Sequence, residues 1–310
     1  MRVLITGGTG FVGGFLTSLA LARGADVVTL GRRASPPDAE ARHVRADLGD
    51  QEALASAVRA AEPDVVFHLA ARASVAESWA HPRATIGGNV DATLNLLEAV
   101  RLECPGALVL TAGSGEAYGP VPAERLPITE GELLRPQNPY AVSKASADLL
   151  AGFYADAHGL RVVRTRAFNH AGPRQTDAYV IAAFARQIAE AERAGERELV
   201  LATGDLRPRR DFTDVRDVVD AYWLLAQRGE PGVFNVCSGV SVAVADILAT
   251  LAGLTELDVE QRTDPSRLRR REVMEIRGSH DKLTDATGWK PRTPLRDTLR
   301  DTLDWWRASG

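Results

Sequence analysis

The most restrictive feature of the sequence is a glycine-rich turn close to its start. Three glycines, spaced three residues apart, lie between the apolar run Val3-Leu4-Ile5 and a segment with helical periodicity. Such a turn lets the backbone approach a pyrophosphate closely, while the N–H groups at the start of the next helix face the anion. The turn therefore predicts a dinucleotide site after a first β-strand. The residues expected to form it are Gly7, Gly10, Phe11, Val12 and Gly13.

Short apolar runs alternate with amphipathic segments through the first half of the chain. Strands are predicted at residues 2–6, 26–30, 42–45, 64–69, 107–111 and 161–166, and helices at residues 13–23, 51–61, 86–101 and 139–158. Strands that alternate with helices are typical of a parallel sheet joined by helical crossovers. We therefore predict an α/β fold with a doubly wound parallel sheet of the Rossmann type over residues 1–166.

The alternation loosens beyond residue 167, where glycine and proline interrupt the pattern. Helices are predicted at about residues 178–194, 214–228 and 244–253. We interpret residues 167–310 as a smaller C-terminal α/β region that mainly binds substrate. A segment near residues 210–238 is expected to return to the first domain.

The composition is that of an ordinary globular protein. The chain has 310 residues, 45% of them hydrophobic and 25% charged, with a formal net charge of -4. Because no apolar run approaches the roughly 20 residues of a membrane span and no signal-peptide pattern follows the start, we expect a cytoplasmic protein without a membrane partner. The slightly acidic balance disfavours nucleic acid as a partner. Cys104 and Cys237 lack the spacing of a metal site, so no metal is expected.

The predicted second strand ends without the acidic residue that usually accepts the ribose hydroxyls of NAD. Instead Arg32 and Arg33 follow it, and guanidinium groups suit a 2'-phosphate because they donate paired, charge-assisted hydrogen bonds. The sequence therefore favours NADPH as the cofactor, with NADH as the open alternative. Asp47 and Leu48, after the third strand, are expected to contact the adenine, although the aspartate could equally cap the next helix.

Tyr140 and Lys144 form a Y-x-x-x-K pair about 130 residues after the glycine turn. In a helix, residues i and i+4 share one face, so the ammonium is expected to lie near the phenol and to lower its pKa. A tyrosine tuned in this way is a general acid or base. Together with the glycine turn, the pair indicates a hydride-transfer enzyme.

In this order, five motifs of the chain resemble the extended short-chain dehydrogenase/reductase family that acts on nucleotide sugars. They are the glycine turn, His68-Leu69-Ala70-Ala71, Asn89-Val90-Asp91-Ala92-Thr93, Ser114-Gly115-Glu116-Ala117-Tyr118-Gly119 and Tyr140-Ala141-Val142-Ser143-Lys144. The resemblance implies catalysis by Ser114, Tyr140 and Lys144, with Leu69, Ala70 and Ala71 beside the cofactor. For substrate binding, the implied residues are Ser74, Asn169, Arg210, Arg269 and Glu272.

Four later motifs are most similar to the enzymes that reduce the C4 keto group of a GDP-4-dehydro-6-deoxyhexose, giving a sugar such as GDP-D-rhamnose. They are Phe168-Asn169-His170-Ala171-Gly172-Pro173, Arg210-Asp211-Phe212-Thr213-Asp214-Val215-Arg216-Asp217, Asn235-Val236-Cys237-Ser238-Gly239 and Gly288-Trp289-Lys290-Pro291-Arg292. The resemblance also implies a homodimer formed through a four-helix bundle. Its helices would lie at residues 89–103 and 140–157, with Leu97, Val100, Leu150 and Phe153 facing outward.

Glu116 keeps other activities of the same family open. The related sugar-nucleotide dehydratases use a glutamate two positions after a catalytic threonine to remove the C5 proton, and Glu116 stands two positions after Ser114. A GDP-mannose 4,6-dehydratase and a nucleotide-sugar 4-epimerase are therefore alternatives to the reductase. The remaining alternative is a nucleotide-binding scaffold without turnover, which the intact Tyr140 and Lys144 disfavour.

Overall fold

The computed structural model describes residues 1–32, 38, 40–265 and 273–309. Strands and helices alternate in the first half of the chain, as the sequence predicts. The elements are β1 (Arg2–Thr6), α1 (Phe11–Ala22), β2 (Asp26–Gly31), β3 (Arg42–Arg45), α2 (Gln51–Ala61), β4 (Val65–His68), α3 (Val75–Ala80), α4 (Pro82–Glu103), β5 (Leu108–Ser114), α5 (Pro139–His158) and β6 (Arg161–Ala167). Two short 3-10 helices, Gly115–Tyr118 and Ala123–Arg125, lie between β5 and α5.

The second half is less regular. Its elements are β7 (Asn169–Ala171), α6 (Val180–Ala194), β8 (Glu198–Thr203), β9 (Arg209–Asp214), α7 (Val215–Arg228), β10 (Gly232–Val236), β11 (Ser241–Ala243), α8 (Val244–Ala252), β12 (Asp258–Thr263), β13 (Glu275–Ile276), α9 (Asp281–Thr287) and α10 (Leu295–Ala308). The three helices predicted there correspond to α6, α7 and α8. In the described ranges, no helix is long and apolar enough to cross a membrane.

Seven parallel strands of the described chain form the central sheet, in the order β10-β6-β5-β4-β1-β2-β3. The strands β1 to β6 lie in the order 3-2-1-4-5-6 of the doubly wound Rossmann fold, which confirms the predicted fold class. In this topology the strand order reverses between β1 and β4. A crevice opens there, outside the carboxyl ends of the strands, and it is the usual place for a dinucleotide.

Helices cover both faces of the central sheet. Alternate side chains of β1 face opposite sides, so Val3 and Ile5 belong to the core under α1 and α7, whereas Leu4 belongs to the core under α2, α4 and α5. Leu97 and Val100 of α4 are wholly buried in that second core. The prediction that these two side chains face outward is therefore wrong, because they are needed to cover the sheet.

The rest of the second half forms a smaller layered region. Here β9 pairs with β7, β11 and β13, and β8 pairs with β12. The helices α6, α8 and α10 enclose an apolar core with these strands, which includes Phe184, Ile247 and Leu299. The chain thus leaves the central sheet after β6 and returns to it at β10, so the two regions are joined at several points.

Candidate active site

The glycine turn lies at the carboxyl end of β1, where it packs against the end of β4. Gly7 has a φ of 75°, and a Cβ on it would lie 2.8 Å from the amide nitrogen of Ala70. A Cβ on Gly13 would overlap the carbonyl oxygen of Gly7. Gly10 caps α1, and its N–H donates to the same oxygen at 2.9 Å. This glycine-rich turn places the start of α1, at Phe11 and Val12, next to the crevice.

Gly13→Ala should destabilise the protein by about 1–3 kcal/mol, because the added methyl group must displace backbone atoms of the turn. The neighbouring substitution Gly14→Ala is the matched control, since a Cβ there meets nothing within 4 Å. Alanine is favoured over glycine inside a helix, so this variant should be as stable as wild type or more stable. Urea unfolding measures both effects, and equal stabilities of the two variants would contradict the close approach at Gly13.

The residues predicted to bind the adenosine part of the cofactor follow β2 and β3. Arg32 is exposed just after β2, whereas Arg33 lies outside the described residues. The Asp47 carboxylate accepts the N–H of Gly49 at 2.9 Å, and Asp50 caps α2. The alternative in which Asp47 caps that helix is therefore wrong. Leu48 packs against the core beneath α2.

The end of β4 forms the other side of the crevice. Leu69 N–H donates to the Thr6 carbonyl at 3.1 Å, and Ala70 N–H donates to the Thr6 hydroxyl at 3.4 Å. These bonds tie Leu69 and Ala70 to β1, next to the exposed Ala71. Ser74 caps α3 by accepting the N–H of Glu77 at 3.1 Å and is half-buried.

Ser114, Tyr140 and Lys144 lie together where β5 ends and α5 begins. Ser114 is the buried last residue of β5, and its hydroxyl lies close enough to the Tyr140 phenol to lower the pKa of that phenol. Lys144, one turn further along α5, donates from Nζ to the Ala112 carbonyl at 2.7 Å. This bond holds the start of α5 against the end of β5.

The pKa values of the two helix residues are set by burial. Burial raises the pKa of Tyr140 well above its usual value, and the neighbouring Ser114 hydroxyl acts in the opposite direction. Burial lowers the pKa of Lys144 to about 8. The prediction of a lowered pKa for Tyr140 is therefore wrong, because desolvation raises the pKa by more than the neighbouring Ser114 hydroxyl lowers it. Tyr140 is a protonated phenol at neutral pH.

Glu116 is fixed beside this trio. Its carboxylate accepts a hydrogen bond from Asn138 Nδ2 at 3.2 Å, while Oδ1 of the same asparagine caps α5 through the Ala141 N–H at 2.7 Å. The negative charge of Glu116 is close enough to contribute to the raised pKa of Tyr140. Asn138 thus connects the Glu116 carboxylate to the helix that carries Tyr140.

Three buried polar residues, His68, Asn89 and Thr93, line the same small cavity as Lys144, and the sequence predicts no role for them. His68 contacts the Thr6 hydroxyl through Nδ1 at 2.8 Å and the Thr93 hydroxyl through Nε2 at 3.1 Å. Burial, followed by the charge of Lys144, lowers the pKa of His68 to about 3, so the ring is neutral. Asn89 bonds the backbone of Arg72 and the hydroxyl of Ser143. Thr93 links the two residues, because its hydroxyl contacts His68 and also the Asn89 carbonyl at 2.9 Å.

The residues predicted to bind substrate are spread over the second region. Asn169 is half-buried at the start of β7. Arg210 is only 8% exposed, and its Nη1 donates to the carbonyl oxygens of Arg209 and Val273 at 2.9 and 2.7 Å. Arg269 and Glu272 lie outside the described residues.

Other parts of the Arg210 motif have a structural role. The buried Asp211 carboxylate accepts the N–H groups of Ser238, Gly239 and Gly278. Asp214 caps α7 and accepts the hydroxyl hydrogen of Thr298 at 2.8 Å. The carboxylates of this motif therefore hold loops of the second region in place.

Tyr179, just before α6, connects the two sides of the cleft. Its hydroxyl donates to the Ala73 carbonyl at 3.4 Å, in the loop before α3. Its phenol also contributes to the raised pKa of Tyr140, so the two phenols lie near each other. Tyr179 thus brings a side chain of the second region close to the start of α5. In the part of the chain described by the structure, no cluster of three or more potential ligands could hold a metal ion.

A family model described as GDP-mannose 4,6 dehydratase matches residues 4–302 of this chain. The chain belongs to this family. The sequence resemblance to nucleotide-sugar enzymes of the extended short-chain type is thereby confirmed. The GDP-mannose 4,6 dehydratase family places the chain among enzymes, and the crevice of the central sheet holds the motifs that the sequence predicts for a catalytic site.

Members of this family and its neighbours differ in activity. The chain is 42% identical to GDP-6-deoxy-D-mannose reductase of Pseudomonas aeruginosa, over 79% of this chain and 81% of the relative. It is 32% identical to UDP-glucose 4-epimerase of Mycolicibacterium smegmatis, over 99% of both. The structure of RMD from Pseudomonas aeruginosa complexed with NADPH is similar with a TM-score of 0.86 and 36% identity, covering 99% of both chains.

Proposed function

We propose that this chain reduces the C4 keto group of a GDP-4-dehydro-6-deoxyhexose with NADPH, giving a GDP-6-deoxyhexose such as GDP-D-rhamnose. The observation that carries the proposal is the protonated Tyr140 beside Ser114, at the edge of a dinucleotide crevice. The 42% identity to a GDP-6-deoxy-D-mannose reductase supports the direction of the reaction and the substrate class.

The crevice fits a dinucleotide. A methyl group on Gly7 or Gly13 would fill the turn, so the backbone there is open to close approach by a pyrophosphate at the start of α1. The RMD structure, which contains NADPH, shares this fold over 99% of both chains. NADPH supplies the hydride when bound, with Arg32 and Arg33 proposed to contact its 2'-phosphate. Asp47 and Leu48 are proposed to contact the adenine.

The side chains at the end of β5 and the start of α5 perform the proton chemistry. Tyr140 donates its phenolic proton to the C4 oxygen as negative charge develops there, and Ser114 hydrogen-bonds the same oxygen. Lys144 orients the nicotinamide ribose, which its position one turn after Tyr140 allows. Ser74, Asn169, Arg210, Arg269 and Glu272 are proposed to hold the nucleotide sugar, mainly from the second region.

A specific observation supports a second activity, GDP-mannose 4,6-dehydration. Glu116 is held beside Tyr140 by Asn138, where a carboxylate could remove a proton from a sugar carbon. A dehydratase returns its cofactor oxidised after each turnover, whereas a reductase consumes one NADPH for each product. Cofactor balance therefore separates the two activities.

The experiment compares three substrates with the purified protein, each tested with NADPH and, separately, with NADP+ or NAD+. The substrates are GDP-mannose, the 4-keto product that a known GDP-mannose 4,6-dehydratase makes from it, and UDP-glucose. Stoichiometric loss of NADPH with the 4-keto sugar only, with the product identified by NMR, is the expected result. A dehydratase or an epimerase first passes a hydride to the oxidised cofactor, so turnover of GDP-mannose or UDP-glucose with NADP+ or NAD+, without net reduction of that cofactor, would instead identify one of them. Absence of turnover with all three would favour a scaffold.

Arg32→Ala should weaken NADPH binding about tenfold or more, because hydrogen bonds to charged groups contribute roughly 1.5–3 kcal/mol. NADH lacks the 2'-phosphate and should bind the variant and the wild type alike. Fluorescence titration with both nucleotides measures the two affinities. Equal losses for NADPH and NADH would contradict a contact between Arg32 and the 2'-phosphate.

We also propose that the protein forms a homodimer through α4 and α5, which pack side by side. Phe153 and Leu149 on α5 and Leu102 on α4 are exposed apolar side chains, with 55%, 63% and 62% of their surface accessible. Leu150, which the sequence places outward, is half-buried against the core. A self-complementary apolar surface of this kind is what an isologous dimer needs.

The combined substitutions Leu149→Glu and Phe153→Glu should convert the dimer to a monomer, because four carboxylates would be buried at the twofold axis. Val240→Glu is the control, since Val240 is equally exposed, at 62%, between β10 and β11. Sedimentation velocity at several protein concentrations measures the assembly. A monomeric wild type, or a dimer that persists in the double variant, would contradict this interface.

A further inference from the structure

Arg174 has an unusual backbone conformation. It lies between β7 and α6 with a φ of 71°, in the left-handed region that glycine adopts easily and that a side chain with a Cβ disfavours. The loop around it is fixed, because the Gln175 side chain is buried and donates to the His170 carbonyl at 3.0 Å. A strained residue in a fixed loop is a reason to look for a function there.

The loop of Arg174 packs directly against the start of α1. The Arg174 guanidinium lies 5.6 Å from the centre of the Phe15 ring. Phe15 contacts Phe11 edge to face at 5.9 Å, and the Phe11 ring stacks on His170 at 6.0 Å. A Cβ on Gly172 would come within 3.8 Å of Phe11 Cζ. The second region therefore reaches the first turns of the helix that the cofactor is proposed to approach.

The glycine turn provides no positive side chain for a bound dinucleotide. Residues 7–15 contain no basic side chain, so the turn offers the pyrophosphate only N–H groups and the helix dipole. Arg216, at the start of α7, is already paired with Asp214 and Asp301 at 2.7 and 2.8 Å. Arg174 is exposed, and the described part of the chain contains no carboxylate in a salt bridge with it.

We propose that Arg174 binds the cofactor, by moving its guanidinium from the Phe15 ring to the pyrophosphate of the bound dinucleotide. Phe15 is about one helical turn, roughly 6 Å, from the start of α1, which is within reach of an arginine side chain. This inference rests on the proposed function, because it requires a dinucleotide at the glycine turn. It gives the second region a direct contact with the cofactor, in addition to its proposed contacts with the sugar.

The test measures NADPH and NADH affinity, together with thermal unfolding of the protein without ligand, for Arg174→Ala, Arg174→Lys and Arg174→Gly. Arg174→Ala should weaken both nucleotides by the same factor, about 10-fold to 100-fold, because both carry the pyrophosphate. Arg174→Lys should retain part of the affinity, since it keeps the charge. Arg197→Ala, an exposed arginine just before β8, should change neither affinity.

Arg174→Gly separates binding from folding. Glycine tolerates a positive φ, so this variant should unfold at a higher temperature than Arg174→Ala and no lower than wild type, while losing as much affinity as Arg174→Ala. If Arg174 had only a structural role, Arg174→Gly would not lose nucleotide affinity while keeping or raising its unfolding temperature.

Three results would overturn the proposal. They are wild-type affinity in Arg174→Ala, a loss confined to NADPH, and a loss of affinity in Arg174→Ala that Arg174→Gly restores. In each case a wild type that still binds NADPH leaves the proposed function intact. A wild type that binds neither nucleotide would defeat both.

Discussion

Tyr140→Phe folds as the wild type does and loses roughly 100-fold to 10,000-fold in kcat, the usual cost of removing a general acid. The substitution keeps the aromatic ring in the first turn of α5 and deletes only the hydroxyl beside Ser114. Because burial raises the pKa of Tyr140, this hydroxyl carries its proton throughout the neutral range.

Tyr154→Phe is the matched control for this prediction. It removes a hydroxyl from the same helix, fourteen residues after Tyr140, where the phenol donates to the Glu98 carboxylate at 2.6 Å. We expect a small loss of stability and wild-type kcat. Steady-state kinetics with saturating NADPH compares the two variants, and wild-type turnover in Tyr140→Phe would remove Tyr140 from the catalytic mechanism.

Asp148→Asn should lower the free energy of unfolding by about 3–5 kcal/mol, the cost of leaving one partner of a buried ion pair uncompensated. The Asp148 and Arg166 side chains are 2% and 7% exposed, and Arg166 Nη2 lies 2.8 Å from Asp148 Oδ2. Arg166 also donates to the Tyr118 hydroxyl at 3.0 Å, which in turn donates to Asn235 at 2.7 Å. The asparagine keeps the volume of the side chain but leaves the guanidinium charge buried among these groups.

Urea denaturation measures this loss of stability. Asp205→Asn is the control, because Asp205 makes a salt bridge of 2.7 Å with Arg207, whose side chain is 81% exposed. A solvent-exposed pair contributes little, so the control should unfold almost as the wild type does. If the two variants had the same midpoint, the Asp148 pair would contribute no more than a surface contact.

The helices and strands could be predicted well because their ends carry local signals. Asp50 and Asn138 cap α2 and α5, and both helices begin and end where the sequence predicts. The start of α4 is predicted at residue 86, but the helix begins four residues earlier, at Pro82. These four residues precede the amphipathic part of the helix. A proline in the first turn is compatible with a helix but does not by itself show that one begins.

The packing of helix faces could not be predicted in the same way. Leu97 and Leu149 are both leucines in amphipathic helices, yet the first is wholly buried and the second is 63% exposed. Periodicity shows that a helix has an apolar face, but not which of two apolar faces covers the sheet. The prediction that Leu97 and Val100 face outward is wrong for this reason.

The chemistry around the crevice depends on contacts that are distant in sequence. Tyr118 and Asn235 are 117 residues apart, and Thr6 and His68 are 62 residues apart, but each pair is joined by a hydrogen bond. Tyr140 and Lys144 were recognisable because their spacing is local. Their pKa values were not, since these depend on how much of the molecule closes over them.

The return of the chain to the central sheet limits how this protein can be divided. A fragment that ended after β6 would lack β10, leaving the backbone of β6 unpaired along one edge. It would also lack α7, whose buried Val218, Tyr222 and Leu225 complete the apolar core on the α1 face. Unpaired edges and exposed apolar faces promote aggregation. The dinucleotide half is thus not a self-sufficient module, and shuffling it between enzymes would require moving residues 215–236 with it.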